Sequence, residues 1–157
     1  MVQRWDSSAR RRRPRGQSLA EFALVFPILM LIIGGIIQFG LIFWGLNTLT
    51  QVVRDTGRWA ATQIDCTPLG VAPVIAKANA IAAQSSLIGY TAGEFNGTNT
   101  TVVWRSEPIS DPCPPTENAQ EAWVTITITH AVPIFFPFVP GDGQLTSSTE
   151  YRMEPRP

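Results

Sequence analysis

The residues of this sequence with the most suggestive spacing stand at the edge of a long uncharged run. In the stretch RGQSLAEF, Gly16 is followed at the fifth position by Glu21 and at the sixth by Phe22. A carboxylate there needs an explanation, because an acid at the centre of a membrane helix costs about 2.5 to 3.5 kcal/mol, and less near the interface. Glu21 either marks the interface, with its side chain reaching water, or pairs with a specific group.

The remaining chemistry-bearing side chains are two thiols and one imidazole. Cys66 and Cys113 are the only cysteines, and His130 is the only histidine. Metal binding needs clustered ligands, so no metal site is expected. In an oxidising compartment the two thiols would form a disulfide worth roughly 3 to 5 kcal/mol, with two unpaired thiols as the alternative.

His130 lies in an alternating strand pattern, which predicts a packed or edge residue rather than a general base. The sequence contains no Gly-x-Ser-x-Gly motif, phosphate-binding loop or dinucleotide fingerprint. We therefore expect no enzymatic activity, no cofactor and no nucleic-acid partner.

The element that positions Glu21 is a predicted membrane span. Residues 22–46 carry no charge and a single polar side chain, Gln38. As a helix this run would be roughly 37 Å long at about 1.5 Å per residue, enough to cross a hydrocarbon core of about 30 Å. The sequence therefore predicts a single-pass protein in contact with membrane lipid.

Charge is strongly segregated around this span. Residues 1–16 hold six basic groups against one acidic group, a formal +5, whereas residues 17–157 hold six against eleven, a formal −5. Basic residues beside a span resist translocation, so the N-terminus is expected in the cytoplasm and the remainder on the exoplasmic side. A cleaved secretory signal is disfavoured, because the apolar run exceeds the 7 to 15 residues of a typical signal core and no small-x-small site follows it.

The junction resembles a known processing signature. Glycine, four residues, glutamate, an aromatic and then an apolar helix is similar to the cleavage motif of type IV prepilin-like proteins. The longer run RGQSLAEFALVFPILMLIIGGIIQFGLIFW, followed by VVRDTGRWAATQ, resembles the TadE-like pseudopilins of tight-adherence (Flp-type) pilus assembly. The resemblance covers about residues 15–63. Gln38 stands where an acid is expected as often as an amide, so no charge-dependent role is carried over to it.

This resemblance implies a function and a set of partners in a bacterial cell membrane. A prepilin peptidase would cut between Gly16 and Gln17, removing the arginines and exposing a new amino group. Glu21, with Phe22 beside it, would be the assembly contact, pairing with the amino terminus of a neighbouring pilin or pseudopilin subunit. The chain would then be a minor pseudopilin that supports assembly of an adhesive pilus with the secretion machinery. The alternative is an unprocessed membrane-anchored exoplasmic scaffold or binding protein.

The expected fold class is α+β and pilin-like, with the long N-terminal helix packed on a small antiparallel sheet. Three regions follow: a basic leader over 1–16, a membrane helix with the processing motif over 17–46, and an exoplasmic domain over 47–157. Beyond the span, α-helical spacing continues as an amphipathic helix. Its predicted apolar face holds Leu49, Val53, Thr56, Ala60 and Ile64, and its polar face holds Arg54 and Arg58.

The rest of the chain predicts a second helix and three strands. Pro68, Gly70 and Pro73 are expected to break the chain before a helix over 74–88. Strands are expected over 101–105, 122–131 and 145–153, the middle one covering a helix with its apolar side. The proline-interrupted apolar patch over 132–139 either folds onto the core, which we favour, or forms an exposed assembly surface. Without a Gly-x-x-x-Gly spacing, the glycines of the span are interpreted as helix-tolerant small residues.

Overall fold

The protein folds as a long helix packed against a second helix and a three-stranded sheet. The computed structural model describes residues 16–62, 68–107, 121–136 and 141–153. In chain order the elements are α1 (Gln17–Ala61), α2 (Pro68–Gln84), β1 (Thr100–Glu107), β2 (Glu121–Ala131) and β3 (Gln144–Arg152). The predicted α+β class is therefore confirmed.

Helix α1 has two halves with different surroundings. It runs for 45 residues and continues through Pro27 without interruption. Among the described residues it is the one helix long and apolar enough to cross a membrane, and most of its apolar span is exposed. One face of its outer half is buried, at Leu49, Val53, Thr56 and Ala60. Arg54 and Arg58 in that half are exposed. The predicted amphipathic continuation is confirmed for these residues; Ile64 lies outside the described ranges.

The sheet has the order β1-β2-β3, and both pairings are antiparallel. Ile126 in the central strand lies opposite Val102 in β1 and Thr149 in β3. Alternate residues of β2 are buried against the helices, as the period of two predicted: Val124, Ile126, Ile128 and His130. The strand predictions are confirmed to within two residues at each end.

The prediction for α2 was wrong at both ends. The helix begins at Pro68, ahead of the predicted start at Val74, and passes through Pro73. Pro68 occupies the first helical position, where its missing N–H has no partner to lose, whereas Pro73 is the sixth residue of the helix and removes one bond to a carbonyl four residues back. Burial on the core side of Val74, Ala78 and Ala82, spaced four residues apart, stabilises the turns that follow.

The C-terminal end of α2 is set by loop geometry. The N–H of Ser85 bonds to the carbonyls of Ile81 and Ala82, which closes the helix after Gln84. Gly89 then turns the chain at a φ of +84°. A side chain at that position would be strained, because L-residues rarely adopt this conformation.

One glycine of α1 sets how closely the sheet approaches the helix. A Cβ built on Gly57 would lie 2.6 Å from Cδ2 of Tyr151, a residue of β3. The ring therefore occupies the space that any other residue at position 57 would need. Although glycine weakens an isolated helix by about 1 kcal/mol relative to alanine, packing overrides that preference here.

We expect Gly57→Ala to destabilise the outer domain by about 1 kcal/mol or more, because overpacking costs about 1 to 3 kcal/mol and exceeds the gain in helix propensity. Gly40→Ala is the matched control, since its Cβ would meet nothing within 4 Å. Chemical unfolding of the full chain in detergent, followed by near-ultraviolet circular dichroism, measures both. Equal destabilisation by Gly57→Ala in a Tyr151→Ala background would show that the ring is not responsible.

Candidate functional site

The predicted processing bond lies at the first residue of α1. Gly16 is the N-cap of the helix and makes no side-chain capping bond, while its carbonyl accepts the Ala20 N–H at 3.1 Å. A Cβ on Gly16 would meet nothing within 4 Å. The fold therefore does not require glycine at this position for steric reasons, and any requirement for it would come from a partner. Residues 1–15, which include the arginines, lie outside the described ranges.

Glu21 is exposed one turn beyond the start of the helix. Its Oε1 accepts a hydrogen bond from Nε2 of Gln17 at 3.1 Å. The side chain is open to a second chain, and its present donor is a neutral amide.

Phe22 and Glu21 lie side by side on exposed helix surface. Phe22 is 61% exposed, and its ring centroid lies 5.4 Å from that of Phe26. The structure thus brings the four predicted residues of the junction together in the first turns of α1. The junction is remote from the outer domain, because 28 residues separate Glu21 from Leu49, about 42 Å at 1.5 Å per residue.

A second polar position, Gln38, was not predicted to have a partner. Its side chain is 0% exposed. Its Nε2 donates to the Pro133 carbonyl at 3.2 Å, and its Oε1 accepts the Phe135 N–H at 2.9 Å. One amide therefore pairs with the backbone of a segment 95 residues away in sequence, as an adjacent strand would.

The segment held by Gln38 follows directly after β2. We call residues 132–136 the descending segment, because they extend along α1 towards its N-terminus. Val132 packs at Gly45, where a Cβ would lie 2.8 Å from its Cγ2, and Phe136 packs at Gly34, where a Cβ would lie 2.6 Å from its ring. The favoured prediction that this patch folds onto the core is confirmed for Val132, which is buried, whereas residues 133–135 lie along α1 and are exposed.

The glycines of the span consequently fall into two groups. Gly34 and Gly45 are buried beneath the descending segment, whereas a Cβ on Gly35 or Gly40 would meet nothing within 4 Å. Interpreting all four as merely tolerated small residues was wrong for Gly34 and Gly45. The partner of each is distant in sequence, so the spacing of glycines within the span carries no signal of it.

His130 is buried between two oxygen atoms of the α2–β1 loop. Its Nδ1 lies 2.7 Å from Oε1 of Glu94, and its Nε2 lies 2.8 Å from the Ile88 carbonyl oxygen. A carbonyl can only accept, so Nε2 carries a hydrogen and the remaining bond needs a proton on Nδ1 or on Glu94. The prediction that His130 is packed is confirmed by its 1% exposure.

The α2–β1 loop is also held by the side-chain amide of Asn79, a residue of α2. Its Nδ2 donates to the Phe95 carbonyl at 2.8 Å, and its Oδ1 accepts the Phe95 N–H at 3.1 Å. The Phe95 ring is buried in the core beside the ring of Tyr90. These contacts fix the loop that supplies Glu94, and sequence analysis did not identify them.

The predicted disulfide falls on residues that the structure does not describe. Cys66 and Cys113 both lie outside the described ranges. Among residues 16–62, 68–107, 121–136 and 141–153, no group of three His, Cys, Asp or Glu side chains could hold a metal ion.

Comparison with known proteins gave one match. Residues 16–58 match the model of the family described as TadE-like protein. This stretch begins at the candidate processing glycine and ends in the amphipathic half of α1. Searches of the curated proteins and of the solved structures found no match.

The geometry around His130 predicts different outcomes for two substitutions of Glu94. Glu94→Ala should destabilise the outer domain by about 1 to 3 kcal/mol, because it leaves a buried ring nitrogen without a partner. Glu94→Gln should cost less. Its amide can donate to Nδ1 of a neutral His130 and still accept the Thr91 N–H, which Glu94 Oε2 accepts now at 3.1 Å. Chemical unfolding of the full chain in detergent compares the two, and equal losses would contradict this account.

Proposed function

We propose that this chain, whose residues 16–58 match the TadE-like family model, is a minor pseudopilin supporting assembly and secretion of a tight-adherence (Flp-type) pilus. The family match supports involvement with that pilus, and α1, the one helix among the described residues that is long and apolar enough to cross a membrane, supports a single-pass membrane protein. In the proposal the N-terminus faces the cytoplasm and residues 47–157 face the exoplasm. The outer domain has a structural role, not a catalytic one.

Processing by a prepilin peptidase is the first step of the proposed function. The observation that carries it is the position of the Gly16–Gln17 bond, which coincides with the first residue of α1, in the same turns as an exposed Glu21. Hydrolysis adds water across this bond, leaving a carboxylate on Gly16 and an amino group on Gln17. Removing residues 1–16 also removes six arginines and one aspartate, so the membrane helix loses its basic anchor.

Pairing of Glu21 with another subunit is the second step. After cleavage each chain carries one new ammonium and one carboxylate within about 6 Å of helix length. Two opposite charges at an apolar surface each lower the other's desolvation cost, so helices packed side by side gain from a pair between chains. The bond that the neutral Gln17 amide donates to Glu21 can be exchanged for one from an ammonium, in which both partners are charged.

Processing predicts that Gly16→Ala blocks cleavage without disturbing the fold. With a coexpressed prepilin peptidase, intact mass should show a wild-type product that begins at Gln17 and a Gly16→Ala product that retains the leader. Gly35→Ala is the matched control, because its added Cβ also meets nothing within 4 Å. We expect that variant to be cleaved normally. A wild-type chain that keeps its leader in full would favour the unprocessed scaffold.

Pairing predicts that Glu21→Gln separates assembly from processing. The variant should still be cut, whereas its association with differently tagged copies and coexpressed pilus subunits should weaken about tenfold or more, since a hydrogen bond to a charged group contributes about 1.5 to 3 kcal/mol. Co-purification from detergent measures the association. Glu150→Gln, at an exposed position of β3, is the control. Equal recovery of all three chains would contradict a role for the Glu21 charge.

A further inference from the structure

The descending segment lies at a depth where the membrane should surround it. If Glu21 marks one edge of the hydrocarbon core, Gln38 lies 17 residues along α1, about 26 Å, and Gly34 lies 13 residues along it, about 20 Å. A hydrocarbon core is about 30 Å thick, so these two contact points fall about 5 and 10 Å inside its far edge. Tilting the helix would place them deeper.

Trp44 supports this placement of the membrane edge. It lies 23 residues beyond Glu21, about 35 Å along the helix, which is just outside the hydrocarbon core. The residue is 56% exposed, and its Nε1 donates to the Ser86 carbonyl at 3.2 Å. Tryptophan is enriched at this level of membrane proteins, because its ring is apolar and its N–H is polar.

The surface of the descending segment suits a hydrocarbon environment. Every side chain from 132 to 136 is apolar: Val, Pro, Ile, Phe and Phe. Phe135 is 63% exposed and Ile134 is 36% exposed, although the segment packs against α1. Phe39, on the same stretch of α1, is 55% exposed. A continuous apolar surface thus extends from the helix onto the segment.

Non-helical backbone is tolerated at this depth only where protein satisfies its polar groups. Gln38 does this for the Pro133 carbonyl and the Phe135 N–H, and Pro133 has no N–H of its own. At the upper end the Val132 N–H bonds to the Gly143 carbonyl at 2.9 Å. Gln38, the single amide in the span, therefore pairs with two backbone groups that would each cost several kcal/mol if they were left unpaired in lipid.

From these observations we infer that the descending segment inserts into the leaflet adjoining the outer domain, where lipid acyl chains cover Ile134 and Phe135 and Gln38 clamps the backbone. The outer domain is then held to the membrane at two places, the helix and this segment. The inference rests on the membrane span and not on pilus assembly or on cleavage at Gly16. Lipid is the favoured occupant because the same leaflet must cover the exposed side chains of α1 at the same level.

Photocrosslinking from position 135 tests the occupant. The full chain, with p-benzoylphenylalanine replacing Phe135, is reconstituted in vesicles of phosphatidylethanolamine and phosphatidylglycerol, irradiated, and analysed by intact mass and peptide mapping. The same residue at Phe39 is the positive control. At Val103 it is the negative control, since this 50% exposed residue of β1 pairs with Thr125 in the outer domain.

We expect acyl-chain adducts from positions 39 and 135 and none from position 103. Adducts from 135 to a second copy of the chain, or no adduct from 135 while 39 reacts with lipid, would overturn the inference. Gln38→Leu tests the clamp. It should remove most of the lipid adduct at 135 while leaving that at 39 unchanged, which shows that α1 is still inserted. An undiminished adduct at 135 in the Gln38→Leu chain would overturn the role of the amide.

Discussion

The constraint on which this structure depends is that one helix must suit two environments, the lipid around its first half and the protein core around its second half. Near its start α1 exposes apolar side chains over its surface, and from Leu49 outward the same helix supplies the buried face of an α+β core. A hydrophobic surface suits both settings, but close packing of a sheet on a helix also needs space. Gly57 provides that space beneath Tyr151 of β3, and Gly45 provides it beneath Val132 and Leu145, so the sheet and the residue that follows β2 approach the helix closely along one face.

Two buried or partly buried side-chain amides hold non-helical segments in place. Asn79 and Gln38 each pair with the N–H and the carbonyl of a non-helical segment, one in the outer domain and one beside the membrane span. Each amide makes the two backbone hydrogen bonds that a neighbouring strand would otherwise supply. An unpaired backbone group buried in protein or lipid costs more free energy than a typical hydrogen bond contributes. Each amide therefore fixes the position of the segment whose backbone it pairs with.

Sequence patterns predicted the elements that depend on local periodicity. The length and lack of charge of residues 22–46 predicted the membrane half of α1, and alternation predicted β2 and its buried face. The start of α2 was missed because a local rule about proline was applied to Pro73, whereas burial of Val74, Ala78 and Ala82 outweighed it. Contacts distant in sequence were missed for a different reason. The partners of Gln38 and His130 lie in segments that no local pattern connects to them.

A signal for Gln38 was nevertheless present. It is the one polar side chain in a 25-residue apolar run, and polar groups within a span are expected to have partners. Its hydrogen bonds also define which property matters at this position. The Pro133 carbonyl needs a donor and the Phe135 N–H needs an acceptor, a combination that an amide or a neutral carboxyl offers and an ionised carboxylate does not. The role of position 38 in this chain is therefore hydrogen bonding to backbone, which does not depend on charge.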